Sequence, residues 1–255
     1  MPELLAGKTA LILGVANKWS LAYAIAKAFR REGANLLLTY QGERQKQPVS
    51  ELGSELGAAA VFECDVTRDE DLVKLAETVR QHGRLDTLVH SIAFANREDL
   101  SRPFVETSRE GYLLAQDVSA YSLVAAARTA APLMTEGGSV MTLSYLGATR
   151  VVTNYNVMGV AKAALEACVR YLSSDLGPAN IRVNAISAGP VKTVSARGVA
   201  GLSKMLETMP TRAPLRRNCT PEEVADTAVF LASDLGRGVT GNILFVDAGY
   251  QVMGF

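Results

Sequence analysis

Seven short runs rich in leucine and β-branched residues alternate with longer stretches of helical character, and this alternation constrains the fold more than any other feature. The runs are Thr9–Leu13, Asn35–Thr39, Ala60–Cys64, Thr87–Ser91, Ser139–Leu143, Arg182–Ile186 and Ile243–Val246. Several are apolar at successive positions rather than alternate ones, the pattern of strands covered on both faces. Between them the sequence predicts helices over Leu21–Glu32, Glu43–Leu56, Asp69–His82, Arg109–Met134, Tyr155–Leu176 and Pro221–Ser233. The last begins with Thr220 as N-cap and Pro221, Glu222 and Glu223 in its first turn, a strong start signal. Repeated strand–helix alternation requires right-handed crossovers, so the fold class is α/β: one doubly wound domain of about seven parallel strands with helices on both faces. The 255 residues suit a single such domain.

Charge excludes some partners. Lys plus Arg and Asp plus Glu each number 26, so no overall field recruits nucleic acid or an anionic membrane. Cys64, Cys168 and Cys219 lie far apart, without metal-ligand spacing, and read as reduced thiols; no metal is expected. The N-terminus opens on Glu3 rather than a basic region, which argues against a signal peptide. No apolar run approaches the ~20 residues of a membrane span, and a soluble cytoplasmic protein is expected.

In a doubly wound sheet, ligands bind beyond the carboxyl ends of the strands. The first such turn, with Gly14, Ser20 and Leu21, leaves a strand and opens a helix, where a pyrophosphate can rest on the helix N-terminus. It lacks the G-x-G-x-x-G spacing, but Ser20 adds a hydroxyl donor. Gln41 follows the second run, Asp65 and Val66 the third, and Ser91, Ile92 and Ala93 the fourth. Each alone reads as a loop residue; jointly they outline a cofactor crevice. Tyr155 and Lys162 are seven residues apart on one helix face, about 10.5 Å along its axis, with the lysine leaning back toward the phenol. A cation so placed is expected to lower the phenol's pKa.

The Tyr155-x6-Lys162 helix start, the run Asn184-Ala185-Ile186-Ser187-Ala188-Gly189-Pro190 and the ending Val246-Asp247-Ala248-Gly249 resemble the short-chain dehydrogenase/reductase family, of Rossmann type, along the whole chain. Its common members have three glycines in the first turn, a serine where Thr142 stands, and Asn-Ala-Gly after the fourth strand. Here the fourth run ends His90-Ser91-Ile92-Ala93-Phe94-Ala95. With Ser144-Tyr145-Leu146-Gly147, these departures resemble the enoyl-acyl carrier protein reductase branch, whose motif is two tyrosines and a lysine; the spacers here are nine and six residues.

The resemblance implies NADH as cofactor, an enoyl thioester on acyl carrier protein as substrate, and a homotetramer built partly on the small residues at 161, 163, 164 and 167. Tyr155 is then the donor to the substrate's enolate oxygen, Lys162 holds the cofactor, and Tyr145 either assists proton delivery or walls the pocket. Val191, Lys192, Thr193, Val194 and Ser195 look like the strip along the nicotinamide and pyrophosphate. Beyond it Val199, Leu202, Met205, Leu206 and Met209 form an apolar stripe, read as a substrate lid over about 191–214, with Met205 and Ala95 at the substrate. Lys204, Arg197, Arg216 and Arg217 are candidate cations for an acidic carrier protein. His90 reads as a structural histidine, and Trp19 as either exposed or near the cofactor. Two rivals remain open: a carbonyl reductase of the same family, with Thr142 in place of the missing serine, and a non-catalytic NAD(H)-binding sensor.

Overall fold

Neighbouring residues of strand β1 (Thr9–Leu13) point into two different cores. Ala10 and Ile12 join Leu36 and Leu38 on one face, while Leu11 and Leu13 join Leu37 on the other. This is why the run is apolar throughout: a strand sandwiched between helix layers has no solvent face. The computed structural model describes residues 3–191 and 201–254. Its other strands are β2 (Asn35–Tyr40), β3 (Ala60–Glu63), β4 (Thr87–His90), β5 (Gly138–Ser144), β6 (Ile181–Ala188) and β7 (Ile243–Val246). All seven are parallel, in the order β3-β2-β1-β4-β5-β6-β7.

Helices α1 (Leu21–Arg31), α2 (Glu43–Leu56) and α3 (Asp69–Gln81) follow the first three strands. Phe29 and Ile25 of α1 are fully buried on one face, each contributing about 1.5–3 kcal/mol. Leu75 and Val79 of α3 sit on the other. The expected single helix over Arg109–Met134 is instead broken. After a short helix α4 (Arg97–Ser101), α5 (Arg109–Gln116) passes through a π-helical turn at Asp117–Tyr121 into α6 (Ser122–Ala130). That turn carries Ser119, whose hydroxyl accepts from Phe94 N (2.9 Å) and donates to Phe94 O (3.0 Å), tying it to the loop after β4.

Helix α7 (Asn156–Leu176) follows β5, and α8 (Leu202–Arg212) and α9 (Pro221–Ala232) precede β7. The Thr220–Glu223 capping box forms as expected. Among the described residues no helix is long and apolar enough to cross a membrane. All three cysteines are free.

The sheet order reverses between β1 and β4, whose ends pair Leu13 with His90. Ligands in such sheets sit at that reversal, beyond the carboxyl ends.

Candidate active site

Gly14 leaves β1 at φ +86°, and a Cβ there would stand 2.3 Å from the Ser91 carbonyl oxygen. The turn therefore admits glycine alone for two independent reasons, left-handed backbone and contact with the loop after β4. Gly14→Ala is expected to cost about 2–3 kcal/mol, since strained backbone alone is worth roughly 1–3. For a domain of this size that lowers Tm by roughly 4–12 °C. A thermal melt within a degree of the parent would show that the turn relaxes freely.

Ser20 caps α1: its hydroxyl donates to Asn17 O (2.7 Å) and accepts from Tyr23 N (3.2 Å). The expected phosphate donor is thus engaged in shaping the helix N-terminus. Trp19 is half-exposed, with the Lys18 ammonium 4.9 Å from its ring centroid. Gln41 donates to Asp65 Oδ2 at 2.9 Å, joining the ends of β2 and β3. Burial opposes ionisation of Asp65, but hydrogen bonds from Thr67 and Gln41 outweigh it and hold the carboxyl below its usual range. Ser91 and Ile92 both adjoin Gly14, and Val66 and Val191 are buried. Lys192, Thr193, Val194, Ser195, Arg197 and Val199 lie outside the described residues.

Tyr155 is the N-cap of α7 rather than its first helical residue. Asn154 and Asn156 on either side have φ of +63° and +37°, a region that asparagine tolerates better than other side chains. Asn156 pins the turn by donating to Leu100 O (3.0 Å) and Arg102 O (2.6 Å). The two asparagines bracketing Tyr155 are a signal that the expected helix start at Tyr155 did not use. Gly147 makes room for the phenol, because a Cβ there would stand 2.4 Å from Tyr155 Cδ1. The Tyr145 ring meets that of Tyr155 edge-on, centroids 5.0 Å apart at 67°.

Lys162 is buried and donates from Nζ to Leu143 O at 2.7 Å. Burial pulls its ammonium down to about 8, against the opposing charge of Glu166. The expectation that Lys162 lowers the Tyr155 pKa is corrected here. Burial, aided by Tyr145, raises the phenol above its ordinary value, because the ammonium is directed at the β5 carbonyl instead. Burial also raises Tyr145, to about 12. Both phenols are therefore neutral donors around pH 7.

His90 is fully buried between Thr142 Oγ1 (2.9 Å from Nδ1) and Ser122 Oγ (2.8 Å from Nε2). Burial first, and then the Lys162 charge, push its pKa down to about 3. Ser122 donates to Val118 O at 2.6 Å, which leaves its oxygen to accept from Nε2–H. The ring is a neutral structural link, and Thr142 is occupied by it.

A cavity of about 650 Å³ opens beside Tyr145, walled by Met205, Met209, Tyr250 and Val252, with Lys204 on its lining. Tyr145 Oη lies 3.7 Å from Met205 Sδ. Met209 and Ala213 pack with Ala248 and Tyr250 in a small cluster apart from the two cores of the sheet. Ala95, expected at the same cavity, is not among its described lining residues and packs against the cluster of Ala115, Val157, Met158 and Ala161. The bonds between Ser119 and Phe94 tie the loop that carries Ala95 to the π-turn. Tyr155 is not among the described lining residues. Of the candidate docking cations, Arg217 is held bidentately by Glu223 (2.5 and 2.8 Å), and Arg216 donates to Thr211 O. Among the described candidates Lys204 alone lines the cavity.

Residues 14–251 match the family model described as enoyl-(acyl carrier protein) reductase. The chain belongs to this family. It is 56% identical to the NADH-named enoyl-[acyl-carrier-protein] reductase of Bacillus cereus, over 99% of this chain and 100% of that one. It is 50% identical to the NADPH-named reductase of Staphylococcus aureus, over 98% of each. The Bacillus cereus reductase crystallised with NADP+ and an indole naphthyridinone superposes with a TM-score of 0.98 at 55% identity, covering 99% of this chain and 100% of that one. The sequence alone did not single out Ser119, Ser122 and Glu166, and gave Ser144 only as part of a motif; all four are polar groups buried by tertiary packing.

Proposed function

We propose that the chain saturates the trans-2 double bond of an enoyl thioester on acyl carrier protein with NADH, the last reductive step of fatty acid elongation. The observation carrying this reading is the edge-on pair of Tyr145 and Tyr155, of which Tyr145 lines a cavity with an apolar thioether side. The glycine turn at the sheet reversal, where a Cβ would strike Ser91, suits the close backbone approach a dinucleotide needs. Gly14, Ser20, Leu21, Gln41, Asp65, Val66, Ser91, Ile92, Ala93, Lys162 and the strip from Val191 to Ser195 hold that cofactor.

When bound, the nicotinamide supplies a hydride to the β-carbon of the enoyl thioester. Negative charge then gathers on the thioester oxygen, and the neutral Tyr155 hydroxyl donates to it more strongly than to the ground state. Tyr145, whose ring meets that of Tyr155 and lines the cavity, contributes a second phenol or walls the acyl chain. Lys162 holds the cofactor and supports the developing charge. Met205 and Met209 of the lid keep water from the acyl chain. Turnover of a crotonyl thioester with NADH, followed by the loss of NADH absorbance, tests the reading; no turnover of any enoyl thioester would favour a sensor. Thr142 is bound to His90 rather than aimed at a substrate, which weighs against the carbonyl reductase.

The adenine end supports a preference for NADH. Gln41 brings no positive charge, and its amide is tied to the Asp65 carboxylate, which would repel a ribose phosphate. Arg44 lies exposed in the first turn of α2, next to Glu43. The specificity constant should therefore favour NADH at least tenfold, ~1.4 kcal/mol. An equal or better value with NADPH would mean that Arg44 turns inward as a phosphate clamp, and Arg44→Ala should then restore NADH preference. By the same reading the subunit forms a cytoplasmic homotetramer. In α7 Ala163 and Tyr171 are exposed on the face such a contact would use, while Ala161 packs within the subunit.

A further inference from the structure

Lys162 has a buried neighbour that the chemistry above does not use. Glu166 lies one turn further along α7, so the two side chains share a helix face. Its Oε1 accepts from Ser144 Oγ at 2.5 Å, and both residues are buried. Lys162 and Glu166 thus grip consecutive residues of β5, the lysine at Leu143 O and the glutamate at Ser144 Oγ. The next residue is Tyr145. Two charges on one helix therefore hold the strand end that presents one tyrosine against the other.

We propose that Glu166 is a positioning residue, whose carboxylate anchors Ser144 and faces the Lys162 ammonium as its counter-charge. This rests on the role given to Lys162 above. A carboxylate is a costly group to bury, and the bond to Ser144 alone does not require one, since a glutamine oxygen would accept it equally well. What glutamine cannot supply is charge. The charged and titratable groups that bear on Lys162 are His90 from β4 and Glu166 on its own helix. The two phenols are held protonated and His90 is neutral, so Glu166 supplies the negative charge among the described residues. On its other side Glu166 is faced by Arg170 from α7 and Ser144 from β5. Burial lifts its carboxyl above the usual range, while Ser144, Arg170 and Lys162 work against that.

The test follows the Lys162 side chain directly, in full-length protein labelled with ¹³C at lysine Cε and assigned with Lys162→Met. In Glu166→Gln the midpoint of Lys162 deprotonation should fall by about one pH unit or more, the effect of removing an opposite charge at this range. In Ser144→Ala, which removes the hydrogen bond but no charge, it should stay within a few tenths of a unit, while kcat with a crotonyl thioester falls. In the unaltered protein the same resonance should show a second, acid-side inflection as Glu166 takes up its proton, a readout needing no variant. An unmoved midpoint in folded Glu166→Gln, or no acid-side inflection in the parent, overturns the proposal. NADH affinity measured across the same pH range separates the two claims. If the midpoint falls but affinity does not follow it, Glu166 stands and the contact of Lys162 with the cofactor fails.

Discussion

Replacing Tyr155 by phenylalanine should lower turnover of an enoyl thioester by ~10²–10³ while leaving NADH affinity nearly unchanged, as expected for loss of one oxyanion donor. The ring that meets Tyr145 edge-on is kept, so the variant removes a proton donor and little packing. The bond it loses matters where charge develops, and so the loss should appear in kcat rather than in cofactor binding. Because burial raises the phenol's pKa, the donor stays protonated through neutral pH, and its loss of a proton should limit the parent only at strongly alkaline pH. Near-normal turnover in Tyr155→Phe would move the donor role to Tyr145, which lines the cavity directly.

Lys162→Ala should differ in kind. It removes the contact to the ribose and the charge behind the tyrosines together, so the Kd for NADH should rise about 10- to 100-fold, in the range of one charge-assisted hydrogen bond. Turnover should fall as well. The variant also leaves Leu143 O without its donor, at a cost of about 1–3 kcal/mol that a thermal melt should register. In the parent, NADH affinity should be full below pH 8 and decline as pH rises through about 8, where burial has brought the ammonium. Lys162→Ala should lose that dependence. An unchanged Kd, measured by fluorescence titration, would remove Lys162 from the cofactor.

Strands were more legible than helices, and helices more legible than the site. The run over β1 is apolar on both faces because helices cover both, and that leaves a plain trace in the sequence. The stretch over Arg109–Met134 has unbroken helical character, yet Ser119 and Ser122 bond to Phe94 and His90 across the fold and widen the helix into a π-turn. No local pattern encodes that partner choice. The same tie holds the loop that carries Ala95, which packs against Ala115, Val157, Met158 and Ala161.

At the site, the spacing of Tyr155 and Lys162 revealed the pair but not what the lysine bonds. Its ammonium finds a β5 carbonyl, so the phenol is governed by burial and not by the cation. Glu166, in an alanine-rich helix, reads as an ordinary surface acid until β5 packs over it. Asn154 and Asn156 take left-handed backbone on either side of Tyr155, a conformation their residue type favours, and this cue went unused in reading a helix from Tyr155.

The central claim is that hydride reaches the β-carbon of an enoyl thioester. NADH carrying deuterium at the transferred C4 position, incubated with the protein and either a crotonyl or an acetoacetyl thioester, tests it most directly. The account predicts rapid turnover of the crotonyl thioester, a butyryl product with one deuterium at C3, and little reaction of the acetoacetyl thioester. A deuterated 3-hydroxybutyryl product formed as fast or faster from the acetoacetyl thioester, with the crotonyl thioester returned unchanged, would contradict it.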